Sequence, residues 1–204
     1  MDDWTETQRA FHEAAHWFAD TVPAEKDTWG LPALGVWTVR DLVGHTSRAL
    51  LTVESYLAEQ AQAVQVASAV DYLERARRSL SDPQAVARRG REAGVTLGDD
   101  LVSSVRSLVE RATTLVAGTE ADDVATTPVG AMQLAEYLPT RTFELTVHTC
   151  DLAVALGQPP RPPDPAAAQC LELVADLARR SGQAATLLLA STGRQGLPSG
   201  FSLL

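Results

Sequence analysis

Apolar residues recur along this chain at intervals of three and four, the period of an amphipathic helix, and almost nowhere alternate as a half-buried strand requires. Trp4, Phe11, Ala14, Ala15, Phe18 and Val22 share one face of a first predicted helix, which ends before Pro23. A loop with Gly30, Pro32 and Gly35 follows. Thr38 then stands as an N-cap with Asp41 three residues on, close to capping-box spacing, and opens a helix from 39 to beyond 57. An Ala/Val-rich stretch predicts another helix over roughly 61–80, and Ser81-Asp82-Pro83 restarts a short one with Asp82 as cap. Asp99 or Asp100 begins a helix to about Val116, closed by Gly118. After a polar segment at 118–130, a long helix is predicted over roughly 131–156, with Gly157 as its C-cap. Pro159 to Pro165 is a stiff linker, and Asp164-Pro165 opens a last helix to about Arg180, stopped by Gly182. The apolar, glycine-punctuated segment from Thr186 to Leu204 fits a strand, a helical turn or packed coil equally well.

The expected architecture is all-α: a four-helix bundle over 1–157 with extra short helices, then a Pro-rich linker, C-terminal helix and tail (158–204) packed on it. At 204 residues with 45 % hydrophobic and 21 % charged positions, the chain has material for one well-filled core. A formal net charge of −9 argues against nucleic acid and anionic membranes as partners, because both select clustered Lys and Arg. No apolar run reaches the ~18 residues of a membrane span, and Met1-Asp2-Asp3-Trp4 lacks a signal-like apolar stretch. Cys150 and Cys170 form no disulfide framework, so a cytoplasmic location is the expectation. Ile and Asn are absent and Lys26 is the sole lysine, the mark of a G/C-rich genome.

Two constellations carry chemistry. His12-Glu13-Ala14-Ala15-His16 matches H-E-x-x-H, the zincin pattern. Yet helical geometry turns His12 and His16 away from Phe11, Ala14, Ala15 and Phe18, towards Arg9 and Asp20, so the bland reading is an exposed polar face and the protease reading is the minor one.

The other lies in the long helix. Tyr137, Arg141, Glu144, His148 and Asp151, spaced 4-3-4-3, form one stripe that spans about 80° of arc. Leu138, Leu145, Leu152 and Leu156 flank it on one side, Phe143, Val147, Cys150 and Val154 on the other. A polar stripe between apolar flanks points into a bundle, where burial costs several kcal/mol unless the groups pair or bind something. Two readings stay open: a salt-bridge network of Arg141 with Glu144 and His148 with Asp151, or one metal shared by Glu144 and His148. His45 is the only other inward histidine, among Leu42, Ala49, Thr52 and Tyr56, with Gly44 beside it to admit a close helix. Two His and one Glu leave a fourth position open, the ligand count of a catalytic zinc site. Asp151, one turn past His148, suits the carboxylate that orients an imidazole. Arg141 either pairs with Glu144, the favoured reading, or binds a substrate carboxylate. Cys150 reads as a packing residue.

The blocks Trp37-Thr38-Val39-Arg40-Asp41-Leu42-Val43-Gly44-His45 and Arg141-Thr142-Phe143-Glu144-Leu145-Thr146-Val147-His148-Thr149-Cys150-Asp151 resemble the mycothiol-dependent maleylpyruvate isomerase family, within the DinB/YfiT-like metalloenzyme superfamily. The resemblance covers roughly residues 5–157. It implies a DinB-like four-helix bundle that holds a divalent metal, usually zinc, on His45, Glu144 and His148. It also implies an actinobacterial source, in keeping with the G/C-rich composition, and mycothiol as the low-molecular-weight thiol cosubstrate. The expected function is metal-dependent isomerisation or S-transfer on a small electrophile, in a monomer or homodimer. The alternative is a metal-binding stress or regulatory bundle without catalysis.

Overall fold

The computed structural model describes residues 3–59, 63–80 and 82–204, with the backbone alone at Leu80. Five long helices supply most of the core: α1 (Asp3–Thr21), α2 (Val39–Ala58), α5 (Leu101–Ala117), α6 (Leu134–Ala155) and α7 (Asp164–Arg180). Three shorter ones, α3 (Ala69–Leu80), α4 (Pro83–Thr96) and α8 (Ala184–Ser191), complete the α-helices among the described residues, beside a single 3-10 turn at Lys26–Thr28. The fold is all-α, as expected, with two small antiparallel hairpins, β1 (Pro32–Leu34) with β2 (Trp37–Thr38) and β3 (Val124–Thr127) with β4 (Gly130–Gln133).

Local sequence starts and stops these elements. Thr38 and Asp41 form the reciprocal capping box: the Asp41 N–H donates to Thr38 Oγ1 at 3.3 Å, and the Thr38 N–H donates to Asp41 Oδ2 at 3.1 Å. Asp82 caps α4 through the Gln84 N–H, and Asp100 caps α5 through the Ser103 N–H. Gly157, with φ +70°, closes α6. Phe11, Ala14, Ala15 and Phe18 of α1 are wholly buried against the core. α6 runs through its centre and packs on α1, α2, α3 and α7. Its threonine side is buried as well as its leucine side, with Thr142 and Thr149 at 0 % exposure. Val147 and Val154, on the flank expected to be apolar and inward, face solvent instead. α7 packs on α1 and α6 with Cys170, Leu173 and Leu177 buried.

Two expectations need correction, and one open question is answered. The helix predicted over 61–80 begins only at Ala69; residues 60–62 lie outside the described residues. Gln65 and Val66 are not helical: both backbone N–H groups donate to Ala131 O, at 2.8 and 3.1 Å, which ties the segment to the second hairpin. A Ser68 cap, accepting from the Asp71 N–H at 3.2 Å, is the start signal that periodicity overlooked. The helix predicted from 131 begins at Leu134, because residues 130–133 are β4. Gly130, at φ +124°, follows a turn in which Thr127 Oγ1 donates to Gly130 O and accepts from the Val129 N–H. Finally, the segment whose structure the sequence left open forms α8 and then runs to Leu204 without regular structure. Ser81 lies outside the described residues. No described helix is long and apolar enough to cross a membrane.

Candidate metal centre

The Trp37–His45 block is a docking device between α2 and α4. Gly44 meets α4 where Gly90 and Gly94 lie: a Cβ on Gly44 would fall 2.5 Å from Gly90 O and closer still to Gly94 N. The close approach expected from Gly44 is therefore realised, with backbone against backbone. Trp37 Nε1 donates to Ala87 O at 3.2 Å, and Arg40 donates to Gly94 O and Gly98 O at 3.0 and 2.7 Å. These contacts lock α4 onto α2. They also fix the indole of Trp37 against the imidazole of His45, with ring centroids 4.3 Å apart. Sequence reading missed this role of Trp37, although the tryptophan sat in the motif.

Opposite His45, α6 presents Glu144 and His148 one turn apart. His148 Nε2 lies 3.3 Å from Glu144 Oε2, and His45 Nε2 lies 3.9 Å from the same oxygen. One ligand atom from each of His45, Glu144 and His148 lies within 4.8 Å of the others, so the three could hold a metal ion. In a tetrahedral zinc site with bonds of about 2.0–2.1 Å, ligand atoms stand ~3.4 Å apart, so the donor set fits once its atoms draw together by up to about 1.4 Å. His148 Nδ1 is 3.1 Å from Asp151 Oδ2, which fixes the ring and turns Nε2 towards Glu144. Of the two readings left open for the stripe, the His148–Asp151 pair is present, and it is compatible with a metal on the other ring nitrogen.

The Arg141–Glu144 half of the network is not present. Among the described residues Arg141 has no carboxylate within ion-pair distance. Its Nε donates to Thr140 Oγ1 at 3.0 Å, and its guanidinium lies 5.0 and 5.4 Å from the ring centres of Tyr137 and Tyr72. The favoured pairing fails because the two tyrosine rings hold the guanidinium by cation–π contact. Arg141 is 8 % exposed, and that exposure opens into a cavity of about 690 Å³. The triad lines the same cavity, with Arg48, Arg89, Tyr56 and Tyr72 and with Phe201 to Leu204. Arg48 follows His45 by one helical turn and was legible as such; Arg89, Tyr72 and the tail arrive from distant sequence.

Burial alone would raise the Glu144 carboxyl, but the hydrogen bond and charge of His148, with Arg141 and His45 beyond, hold it down at about 2. For His148, burial is outweighed by its bonds to Asp151 and Glu144, which lift it to about 9. His45 falls to about 4 through burial and the nearby charges of His148, Arg48 and Arg89. At neutral pH a metal bound there would thus displace one proton, that of His148. Its apparent affinity should climb about tenfold per pH unit up to pH 9. Calorimetry in two buffers of different ionisation enthalpy should read close to one proton released per metal, and zero would refute it. The metal-free fold should behave oppositely. Because His148 is raised from 6.5 to about 9 by folding, its stabilisation is full below pH 6.5 and lost as pH rises through 9. Removing the orienting carboxylate, Asp151→Ala, should weaken metal binding by about 10–100-fold, measurable by chelator competition.

The zincin pattern ends on the outside of α1. His12 is exposed, Glu13 is engaged by Arg9 at 2.7 Å, and no third ligand joins the two histidines among the described residues. The rings of His12 and His16 lie against each other at 4.3 Å.

No curated protein and no solved structure matches the chain. A family model described as the mycothiol maleylpyruvate isomerase N-terminal domain matches residues 12–153, a span that contains both blocks and all three ligand candidates. The chain therefore belongs to the mycothiol maleylpyruvate isomerase N-terminal domain family.

Proposed function

We propose that this protein is a divalent-metal enzyme that uses a small thiol, mycothiol in the family's terms, to isomerise or S-conjugate a small electrophile bearing an anionic group. The observation that carries the reading is the convergence of His45, Glu144 and His148 on the wall of a large, mostly apolar cavity. A purely structural metal is closed off by four protein ligands, whereas three ligands beside a cavity leave a position for a reactant. Zinc is the first expectation, since two imidazoles and a carboxylate with an open position are its catalytic ligand set.

When bound, the cation lowers the pKa of a coordinated thiol, so that the nucleophile exists at neutral pH. The chain's own residues supply the rest. Asp151 holds His148 in one tautomer, and Trp37 holds the plane of His45. Arg141, buried, charged and without a carboxylate partner, offers its guanidinium to a carboxylate of the electrophile, with Arg48 on the same wall. Burial of an unpaired charge is costly unless a ligand completes it. The apolar lining from Leu73, Ala76, Val86 and Val174 takes the body of the substrate and keeps water out.

The test is turnover of a cis-enedioic acid and of an alkylating fluorophore by the metal-loaded protein with mycothiol. Activity that disappears in His45→Ala supports the reading. Equal turnover by wild type and His45→Ala sinks it, and metal binding without turnover of either probe favours the non-catalytic bundle. Arg141→Leu should raise KM for the diacid by about 10–100-fold and leave the uncharged alkylating probe nearly unaffected.

A further inference from the structure

The polar half of the cavity is built on helices, but part of its lining comes from outside them. Phe201, Ser202, Leu203 and Leu204 line it. They belong to the segment after α8, which has no helix or strand of its own. Among the described residues, the hydrogen bonds of 196–204 stay inside the segment. The Phe201 N–H donates to Pro198 O at 3.0 Å, Ser202 Oγ donates to Leu204 O at 2.5 Å, and the Leu204 N–H donates to Ser202 Oγ at 3.1 Å. Among the described residues no main-chain bond zips it to the bundle. Its hold is the apolar contact of Phe201 and Leu203, both partly buried, while Leu197 and Leu204 remain exposed.

Glycines punctuate the segment and its approach where nothing packs against the backbone. Gly193 and Gly200 take φ +70° and +72°, and an added Cβ at Gly193, Gly196 or Gly200 would meet nothing within 4 Å. Exposed backbone, few buried side chains and no ladder bonds place a segment at the low-stability end of a fold. The helices it lies across are, by contrast, fixed to one another by buried side chains.

We propose that residues 196–204 form a strap over the metal cavity. It swings clear to admit the reactants and, when shut, supplies the apolar wall against which the body of the electrophile packs. The proposal rests on reading the triad as a metal centre. The strap contributes none of the three ligand atoms, so it governs the rates of entry and exit and leaves the affinity of the metal unchanged.

The experiment compares the full chain, a chain ending after Gly196, and the double variant Phe201→Ala/Leu203→Ala, each loaded with cobalt(II). Stopped-flow stripping by EDTA should run about tenfold faster in both variants, since access scales with the open fraction. The equilibrium Kd for cobalt should stay within about twofold, because entry and exit change together. Unchanged stripping rates overturn the strap. A Kd that weakens in step with stripping also overturns it, because the segment would then be propping up the site. If the full chain takes up no cobalt, it is the metal reading that fails. The strap is then judged on the metal-free chains with 1-anilinonaphthalene-8-sulfonate: about tenfold faster association with both variants supports it, and equal rates overturn it.

Discussion

Glu144→Ala is expected to yield protein with less than about a tenth of a metal equivalent per chain, against close to one for wild type, because structural-strength metal binding collapses when a ligand is lost. Glu144 is the carboxylate to which both imidazoles point, at 3.3 and 3.9 Å. Without it, two nitrogens remain and neither has a replacement oxygen in reach, since Asp151 is engaged on the far side of His148. The fold should survive, because the Glu144 side chain is 30 % exposed and the described bonds that end on it come from the two histidines alone. Elemental analysis with a parallel melting curve checks both halves. Full metal content in Glu144→Ala would remove the site, and His12→Ala/His16→Ala provides the contrast, with metal content expected to stay at the wild-type level.

Gly44→Ala should be the most destabilising single-methyl change in the molecule. In an exposed helix, alanine in place of glycine gains about 1 kcal/mol. Here the new Cβ meets the backbone of Gly94 and the carbonyl of Gly90, atoms that cannot rotate away. Overpacking against backbone forces α4 outward, at a net cost of about 3 kcal/mol or roughly 6–12 °C in Tm for a chain of this size. The comparison series sharpens the test. Gly94→Ala, which meets Arg40 O at 2.8 Å, should rank second; Gly90→Ala, which meets only the Trp37 indole at 3.1 Å, should cost least. A reversed order would mean that the α2–α4 crossing is not the tight point of the fold. Because Trp37 is pinned to Ala87 across the same crossing, Gly44→Ala should also loosen the ring that supports His45, and weaker metal binding by the folded fraction is the expected accompaniment.

The helices and most of their ends were legible because their signals are local. Thr38/Asp41, Asp82, Asp100 and Gly157 act within a few residues of themselves. The hairpins were not, because β3 and β4 have no alternating pattern and turn through Thr127-Pro128-Val129-Gly130 in place of the usual Asn-Gly. What keeps 65–66 out of a helix is a carbonyl at Ala131, which no local pattern reports. The same division runs through the site. Glu144, His148 and Asp151 share a stripe by helix geometry alone, and His45 was selected by its inward position. Arg141 was placed on the correct stripe with the wrong partner, because a guanidinium chooses between a carboxylate and aromatic faces by where Tyr72 and Tyr137 fall, and Tyr72 comes from another helix.

By itself, the sequence determined the all-α class, the capped helices, the acidic surface and the two motif blocks, since each depends on contacts within a few turns of one chain segment. Tertiary structure alone decided that the two blocks meet on one wall of a cavity, that Arg48, Arg89 and Arg141 gather there, and that the tail lines it as well. Each of these depends on helix crossings between distant segments; at the one that brings Arg89 in, the α2–α4 crossing, backbone-close packing at Gly44, Gly90 and Gly94 leaves no room for a methyl group.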